Sequence, residues 1–306
     1  MNALPPVRRR LLGSALRKHR ESLGYTLDQA ARILECDRSK ISRIETGQRG
    51  IRPKELRELL TEYGVADGEQ EALLAIAHSG RQTGWWLDYA DVLSAAGQDY
   101  VIMELAATEI LAFEPNQVPD LLQTPEYAGA LADADANATG DDQREHAIEV
   151  KLARQRIVFG DRSPKLEVVI TEGALRQAVG GPRVMRDQLG WLAAVADAGR
   201  VTGLPGGDGW ASAGSAPVSL QVLPFAAGAH AAAGCGPLTI LRFVRGNQGI
   251  GVVHLAGLSG GVSLGEAAEV GRYLRTFAQL RSAALAPAAS ARLLRAIARG
   301  SEPLPQ

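Results

Sequence analysis

The stretch Thr26–Gly47, TLDQAARILECDRSKISRIETG, decides the reading of this chain. Thr26 is a strong N-cap, and Gln29 three residues on completes a capping box. Leu27, Ala30, Ala31, Ile33 and Leu34 then lay a narrow apolar stripe on a first short helix. Glu35-Cys36 breaks the period. Asp37 is the next N-cap, with its carboxylate at the positive end of a new helix dipole. The second helix runs from about Arg38 to Thr46 and stops at Gly47, a left-handed C-cap. Ile41 and Ile44 face inward. Arg38, Ser39, Lys40, Ser42 and Arg43 are left on the outer face. A short helix with a basic, hydroxyl-rich face behind a capped partner is the layout of a helix-turn-helix reader.

Flanking elements close a bundle around this pair. A first helix spans about Val7–Leu23, with Leu11, Leu12, Ala15 and Leu16 inward. Pro53 opens another, Lys54–Tyr63, with Leu56, Leu59 and Leu60 as its apolar set. Arg8, Arg9 and Arg10 read either as a phosphate-binding arm or as a solvated helix start. Glu45 lies in the last turn of its helix, where a carboxylate opposes the dipole. It therefore needs a nearby cation.

Leu12–Val65 resembles the XRE (phage-repressor-like) helix-turn-helix domain, through LGSALRKHRESLGYTLDQAARIL and SKISRIETGQR. Two positions depart from the pattern. Leu27 stands where the family has a phosphate-touching Gln, and Glu35 stands near the family's turn Gly, where a left-handed Glu would be strained by roughly 1 kcal/mol. The resemblance, with the charge argument, assigns Arg17 as the partner of Glu45. From position on the outer face and in the loop that follows, with the first helix's cap, the expected DNA-contacting set is Thr26, Arg38, Ser39, Lys40, Ser42, Arg43, Arg49 and Arg52. Ser39, Lys40 and Arg43 are expected at base edges; Arg38, Arg49 and Arg52 are expected on phosphates.

At 306 residues, two domains are the natural expectation. The net charge of −1 hides an asymmetry. Residues 1–63 hold 14 Lys+Arg against 8 Asp+Glu, and the remainder holds 19 against 26. A basic nucleic-acid domain joined to an acidic one fits that split. The two cysteines, Cys36 and Cys235, have no CxxC spacing, so a disulfide framework or zinc site is not expected and a reduced cytoplasm is. No apolar run reaches the length of a membrane span.

The expected division is 1–66 helix-turn-helix domain, 67–99 linking helices and 100–306 an α+β domain. In the linking part, EQEALLAIAHSG is a short helix. The adjacent Trp85 and Trp86 read as a ligand cage, an interface, or the packing of one domain on another. Beyond them, VIMELAATEILAFEP predicts one helix from Tyr100 to Pro115, and Thr124-Pro125 starts another. Further helices are expected at Glu145–Phe159, Ala174–Val179, Val184–Ala198 and Leu264–Leu285, with a last one opening at Pro287. KLEVVIT (165–171), VSLQVLP (218–224), PLTILRFV (237–244) and IGVVHLA (250–256) alternate as strands. RGNQG suits a hairpin between the last two. The fold class is therefore multidomain and mainly α: a helix-turn-helix bundle and an α+β domain with a small antiparallel sheet.

The second part resembles a domain of unknown function that follows XRE-type heads in actinobacteria. The shared phrases are ELAATEI, VPDLLQTPEYA, EVKLARQ, TEGALRQAVGG, QLGWLA, LQVLPFAAGAH and YLRTFAQLRSAAL. Asp120 stands where that family has Gly, and the Gly-rich stretch at 203–217 is longer. The resemblance implies a transcriptional regulator encoded beside a small partner protein, in a toxin–antitoxin-like arrangement.

GLSGG (257–261) matches G-x-S-x-G with Ser259 as nucleophile, but neither Asp nor His follows it, as an elbow hydrolase requires. The five His residues show no metal-ligand spacing, and no P-loop or dinucleotide fingerprint is present. His230 and His254 read as structural or pocket-lining. No enzyme and no cofactor is expected. The expected function is sequence-specific binding of double-stranded DNA by a homodimer. The acidic domain would bind a small partner protein or peptide, or a small-molecule effector, or serve only to dimerise. The alternative is an antitoxin-like protein that mainly holds a small partner.

Overall fold

The computed structural model describes residues 6–78, 85–134, 140–160, 163–201, 203, 216–243, 251–257 and 261–300. Ser259, the 245–249 turn and most of the Gly-rich stretch lie outside the described residues. Five helices form the N-terminal bundle: α1 (Pro6–Ser22), α2 (Leu27–Ile33), α3 (Arg38–Glu45), α4 (Pro53–Glu62) and α5 (Asp67–His78). Thr26 Oγ1 accepts from the Gln29 amide, and the Gln29 side chain accepts from the Thr26 amide, closing the capping box. Glu35 is the one non-glycine with positive φ among the described residues, at 45°. Its turn ends α2 as a Schellman motif, with Cys36 N–H donating to Ala31 and Glu35 N–H to Arg32. Asp37 occupies the N-cap position of α3, but its side chain makes no capping bond.

Helix α1 lies directly on α3. A Cβ added at Gly13 would stand 2.3 Å from the Ile44 carbonyl oxygen and 2.8 Å from that of Glu45, so only glycine permits this approach. Leu12, Leu16, Ile41, Ile44, Leu56 and Leu59 are all 1 % exposed or less and fill the bundle. Helix α5, expected among linking helices, packs on α4 and α1 and adds Leu73 and Ile76 to the same core.

The cation beside Glu45 is Arg20, not Arg17. Arg20 Nε donates to Glu45 Oε1 at 2.7 Å and Nη2 to Oε2 at 2.9 Å, while Nη1 donates to the Tyr25 carbonyl at 2.6 Å. Helical period explains the difference. Leu12, Leu16 and Arg20 lie four apart on one row, whereas Arg17 is turned about 100° from Leu16. Arg17 instead meets Glu21 at the surface. Arg8 is likewise no free arm. It is buried, donating to Asp99 at 2.6 Å and to the Ile76 carbonyl. Arg10 stays exposed.

The remaining elements are α6 (Ala95–Ala106), β1 (Glu109–Glu114), α7 (Pro125–Ala134), α8 (Asp141–Val158), β2 (Lys165–Thr171), α9 (Glu172–Arg176), α10 (Gly181–Ala198), β3 (Arg200–Val201), β4 (Ala216–Leu223), β5 (Leu238–Arg242), β6 (Gly251–Leu255), β7 (Val262–Leu264), α11 (Ala267–Ala283) and α12 (Pro287–Ala298). The expected small antiparallel sheet is instead a mixed sheet of seven strands, in the order β3-β4-β2-β1-β5-β6-β7. β1, β2 and β4 run parallel; β3, β5, β6 and β7 each join antiparallel.

The expected helix 100–115 is in fact α6 followed by β1. Strand β1 is central and buried along Ile110–Phe113. Such a strand shows a continuous apolar run, which periodicity does not separate from a buried helix. One face of the sheet, with Ile110, Ala112, Val168 and Leu220, carries the larger core with α10 and α12. The other, with Leu111, Phe113, Val169 and Ile240, packs against Val270, Phe277 and Leu280 of α11. Among the described residues no helix is long and apolar enough to cross a membrane.

Candidate functional site

Among the described residues, two places are candidates for a functional site. The first is the outer face of α3. Arg38, Ser39 and Arg43 are exposed there, as are Arg49 and Arg52 in the loop that follows; Ser42 is half-buried. Arg43 folds back along the helix, with Nε donating to the Ser39 carbonyl at 3.1 Å and Nη2 to Ser39 Oγ at 3.3 Å. These are exposed bonds that a better acceptor can replace. Arg38 lies 3.9 Å from Asp28 across the α2–α3 turn. Lys40 differs from the others. Its Nζ donates to Glu55 of α4 at 2.7 Å, so it presents no free cation on this face. Thr26 is exposed, but its hydroxyl is engaged in the capping box.

The second place is a cavity of about 260 Å³ between one sheet face and helices α6 and α8. Ile110, Ala112 and Glu114 of β1 point the same way because strand side chains alternate. Leu166 and Val168 extend the apolar floor, and Tyr100 and Glu104 of α6 close the cavity from above. At one end, Arg154 of α8 donates through Nε and Nη2 to both Glu104 oxygens, at 2.7 and 2.8 Å, and through Nη1 to Asp120 at 3.0 Å. Lys151 adds a second cation 3.3 Å from Asp120. Burial alone would raise the Asp120 carboxyl; Lys151 and Arg154 outweigh it and hold it at about 2. The Tyr100 hydroxyl donates to Glu104 at 2.9 Å, and the Arg154 guanidinium lies 5.4 Å from the Tyr100 ring centre.

Glu114 stands apart from this network. Burial, reinforced by the neighbouring Asp120 carboxylate, pushes its carboxyl up to about 8, with Lys151 offsetting part of the rise. Its buried Oε2 has no hydrogen-bond partner among the described residues. His254 of β6 lies against Tyr100, ring centres 4.3 Å apart, with Nδ1 3.1 Å from Ser263 Oγ. Burial, with Arg154 nearby, lowers it to about 4, so the ring is neutral at pH 7. Its position agrees with the pocket-lining reading. Gly261 fits tightly beneath it: an added Cβ would fall 1.9 Å from His254 Cε1.

Trp85 and Trp86 are not in this cavity. They meet edge to face, and Trp85 leads through Tyr89 to His146 on α8.

Residues 11–74 match a helix-turn-helix domain. Residues 98–202 and 211–296 match the domain of unknown function DUF5753. The chain belongs to the DUF5753 family. Comparison with curated proteins and with solved structures found no match. A helix-turn-helix head ahead of the DUF5753 domain fits a DNA-binding regulator. The match carries neither a toxin–antitoxin association nor a source organism.

The DUF5753 part explains three of the phrases quoted above. ELAATEI contributes Glu104, VPDLLQT contributes Asp120 and Gln123, and EVKLARQ contributes Lys151, Arg154 and Gln155. Gln155 Nε2 donates to the Asp120 and Gln123 carbonyls, and Lys151 to Gln123 Oε1, so the phrases converge on one polar knot. Asp120, the departure from the family's Gly, is part of that knot. Glu104, Glu114 and Arg154 carry no catalytic or metal-ligand spacing in the sequence and are not among the expected site residues. The available signal was the K-x-x-R-Q run, whose Lys and Arg lie on one helix face.

Proposed function

We propose that this protein is a sequence-specific DNA-binding transcriptional regulator, acting as a homodimer in the cytoplasm and not as an enzyme. In this reading α1–α5 form an XRE-type head, with α5 part of the bundle and not of a linker, and the DUF5753 part from α6 onward binds an effector and holds the dimer. The observation that carries it is the capped α2–turn–α3 unit, packed on α1 through Gly13, with Ser39 and Arg43 on the open face of α3. A helix presented this way enters the major groove, where Arg reads guanine and Ser tolerates several bases. Arg38, Arg49 and Arg52 neutralise phosphates around it. Lys40 reaches DNA only by leaving Glu55, so its contribution is weaker than its position suggests. A head this small buries a limited interface, which favours two heads on a two-fold site.

Helix α6 supports a link between the effector part and the head. Its Asp99 receives Arg8 of α1, while Tyr100 and Glu104 on the same helix line the cavity. The cavity favours a small molecule over a partner protein as effector.

Arg43→Ala tests the DNA contact. Titrated against duplexes selected from a random pool, it is expected to lose about 1–3 kcal/mol of affinity and relax preference at one base position. Arg49→Ala should instead weaken all duplexes alike and flatten the salt dependence. Unchanged affinity and unchanged base preference in Arg43→Ala would contradict the assignment.

A further inference from the structure

We propose that the cavity beneath α6 binds a small organic cation, with the ligand's ammonium group on Glu114 and its apolar body along Ile110, Ala112 and Val168. The inference rests on the effector role given above to the DUF5753 part and names the chemistry of that effector.

Glu114 is the half-buried acid of this site for which no hydrogen bond or ion pair is found among the described residues, Lys151 acting on it only through its field. Its Oε2 is enclosed and unpartnered among the described residues. Buried polar atoms in folded proteins nearly always have a partner, so an orphan facing a cavity calls for one from outside. The neighbouring charges exclude an anion. Glu104 and Asp120 are already matched by Arg154 and Lys151, so these four charges balance among themselves. An ionised Glu114 therefore adds one uncompensated negative charge, and the Asp120 carboxylate beside it reinforces the field. A monocation restores the balance.

The rest of the cavity suits a compact apolar body. Leu166, Val168, Ile110 and Ala112 form the floor, and Val101 and Leu93 lie along the helix side. At about 260 Å³ it is smaller than the roughly 300–1,000 Å³ of drug-sized pockets, so the ligand is of metabolite size. Its place in the sheet points the same way. Glu114 is the last residue of β1. Successive parallel strands are laid down on one side of β1, before β5 returns to its other side. Ligands of open α/β sheets sit at the carboxyl ends of strands where the order reverses.

The test uses the full-length protein and two matched pairs: benzylamine with benzyl alcohol, and phenethylamine with 2-phenylethanol. Within a pair the body is the same and only the charge differs. Calorimetric titration at pH 8 is expected to show an amine binding at least tenfold more tightly than its alcohol. Below pH 8 the proton on Glu114 must leave before the amine docks, so amine affinity falls by up to tenfold per pH unit with proton release into the buffer. Glu114→Gln should abolish the amine preference. Ala112→Leu, which fills the floor and leaves the carboxyl in place, should weaken the amines whether or not Glu114→Gln folds well. Equal affinity for amine and alcohol in both pairs, no amine binding at 10 mM (about 2.7 kcal/mol by standard-state arithmetic), or a preference that survives Glu114→Gln would each overturn the inference. No DNA enters the measurement, so its failure leaves the DNA-binding reading to be judged separately.

Discussion

Glu45→Ala should cost the helix-turn-helix bundle about 3–5 kcal/mol, the range for removing one partner of a buried ion pair. The Glu45 side chain is 5 % exposed and that of Arg20 is 10 % exposed. The carboxylate closes a two-point fork with the guanidinium at 2.7 and 2.9 Å. Removing it leaves a buried cation with the Tyr25 carbonyl at 2.6 Å and only the exposed Glu21 carboxylate, at 3.4 Å, as counter-charge. In the wild type the hydrogen bond to Glu45 raises the Arg20 pKa against the opposing effect of burial, and without Glu45 a guanidinium still keeps its proton, so neutralising it is no escape. Arg17→Ala is the control. It breaks only an exposed pair, worth about 0–1 kcal/mol. Urea unfolding of the full chain, followed by helical circular dichroism, measures both. A loss for Glu45→Ala no larger than that for Arg17→Ala would mean that the pair does not hold α1 and α3 together.

The pH dependence of stability should carry a comparable effect from one residue. Glu114 is held up at about 8 in the folded protein, whereas an unfolded glutamate titrates near its ordinary value of 4.5. The folded state therefore keeps a proton that the unfolded state has released. Stability from this group is fully present below about pH 4.5, falls as pH rises toward 8, and levels off above it. The slope is up to roughly 1.4 kcal/mol per pH unit, which amounts to several kcal/mol across the interval. Glu114→Gln keeps the shape and removes the titration. The stability of the wild type relative to this variant should therefore decline from pH 5 to pH 8. Parallel curves would show that the carboxyl titrates normally. His254, lowered to about 4, works in the opposite sense, losing stability as pH falls from 6.5 toward 4. It is present in both proteins and cancels in the comparison.

Much of the head was legible in the sequence because its signals are local. Thr26 with Gln29, and Gly47, found at 72°, each declare a helix end within a few residues. The partner of Glu45 was missed by three positions, because choosing between Arg17 and Arg20 needs the helical row set by Leu12 and Leu16. The sheet was less legible. β2, β4, β5 and β6 alternate or carry β-branched runs, but β1 is buried along most of its length and merges with the apolar end of α6. β3 and β7 have two and three residues, too few for any pattern. The cavity was hidden for another reason. Glu104, Glu114, Asp120 and Arg154 each look like ordinary surface charges, and only the crossing of α6, β1 and α8 brings them together.

Footprinting of the full-length protein across the genome of its own cells tests the DNA-binding reading most directly. The expected result is a limited set of occupied sites sharing one short motif, arranged as two half-sites about one helical turn apart, and lost or degenerate when Arg43→Ala replaces the wild type. Occupancy without a shared motif, or a motif indifferent to Arg43, would contradict sequence reading by the outer face of α3.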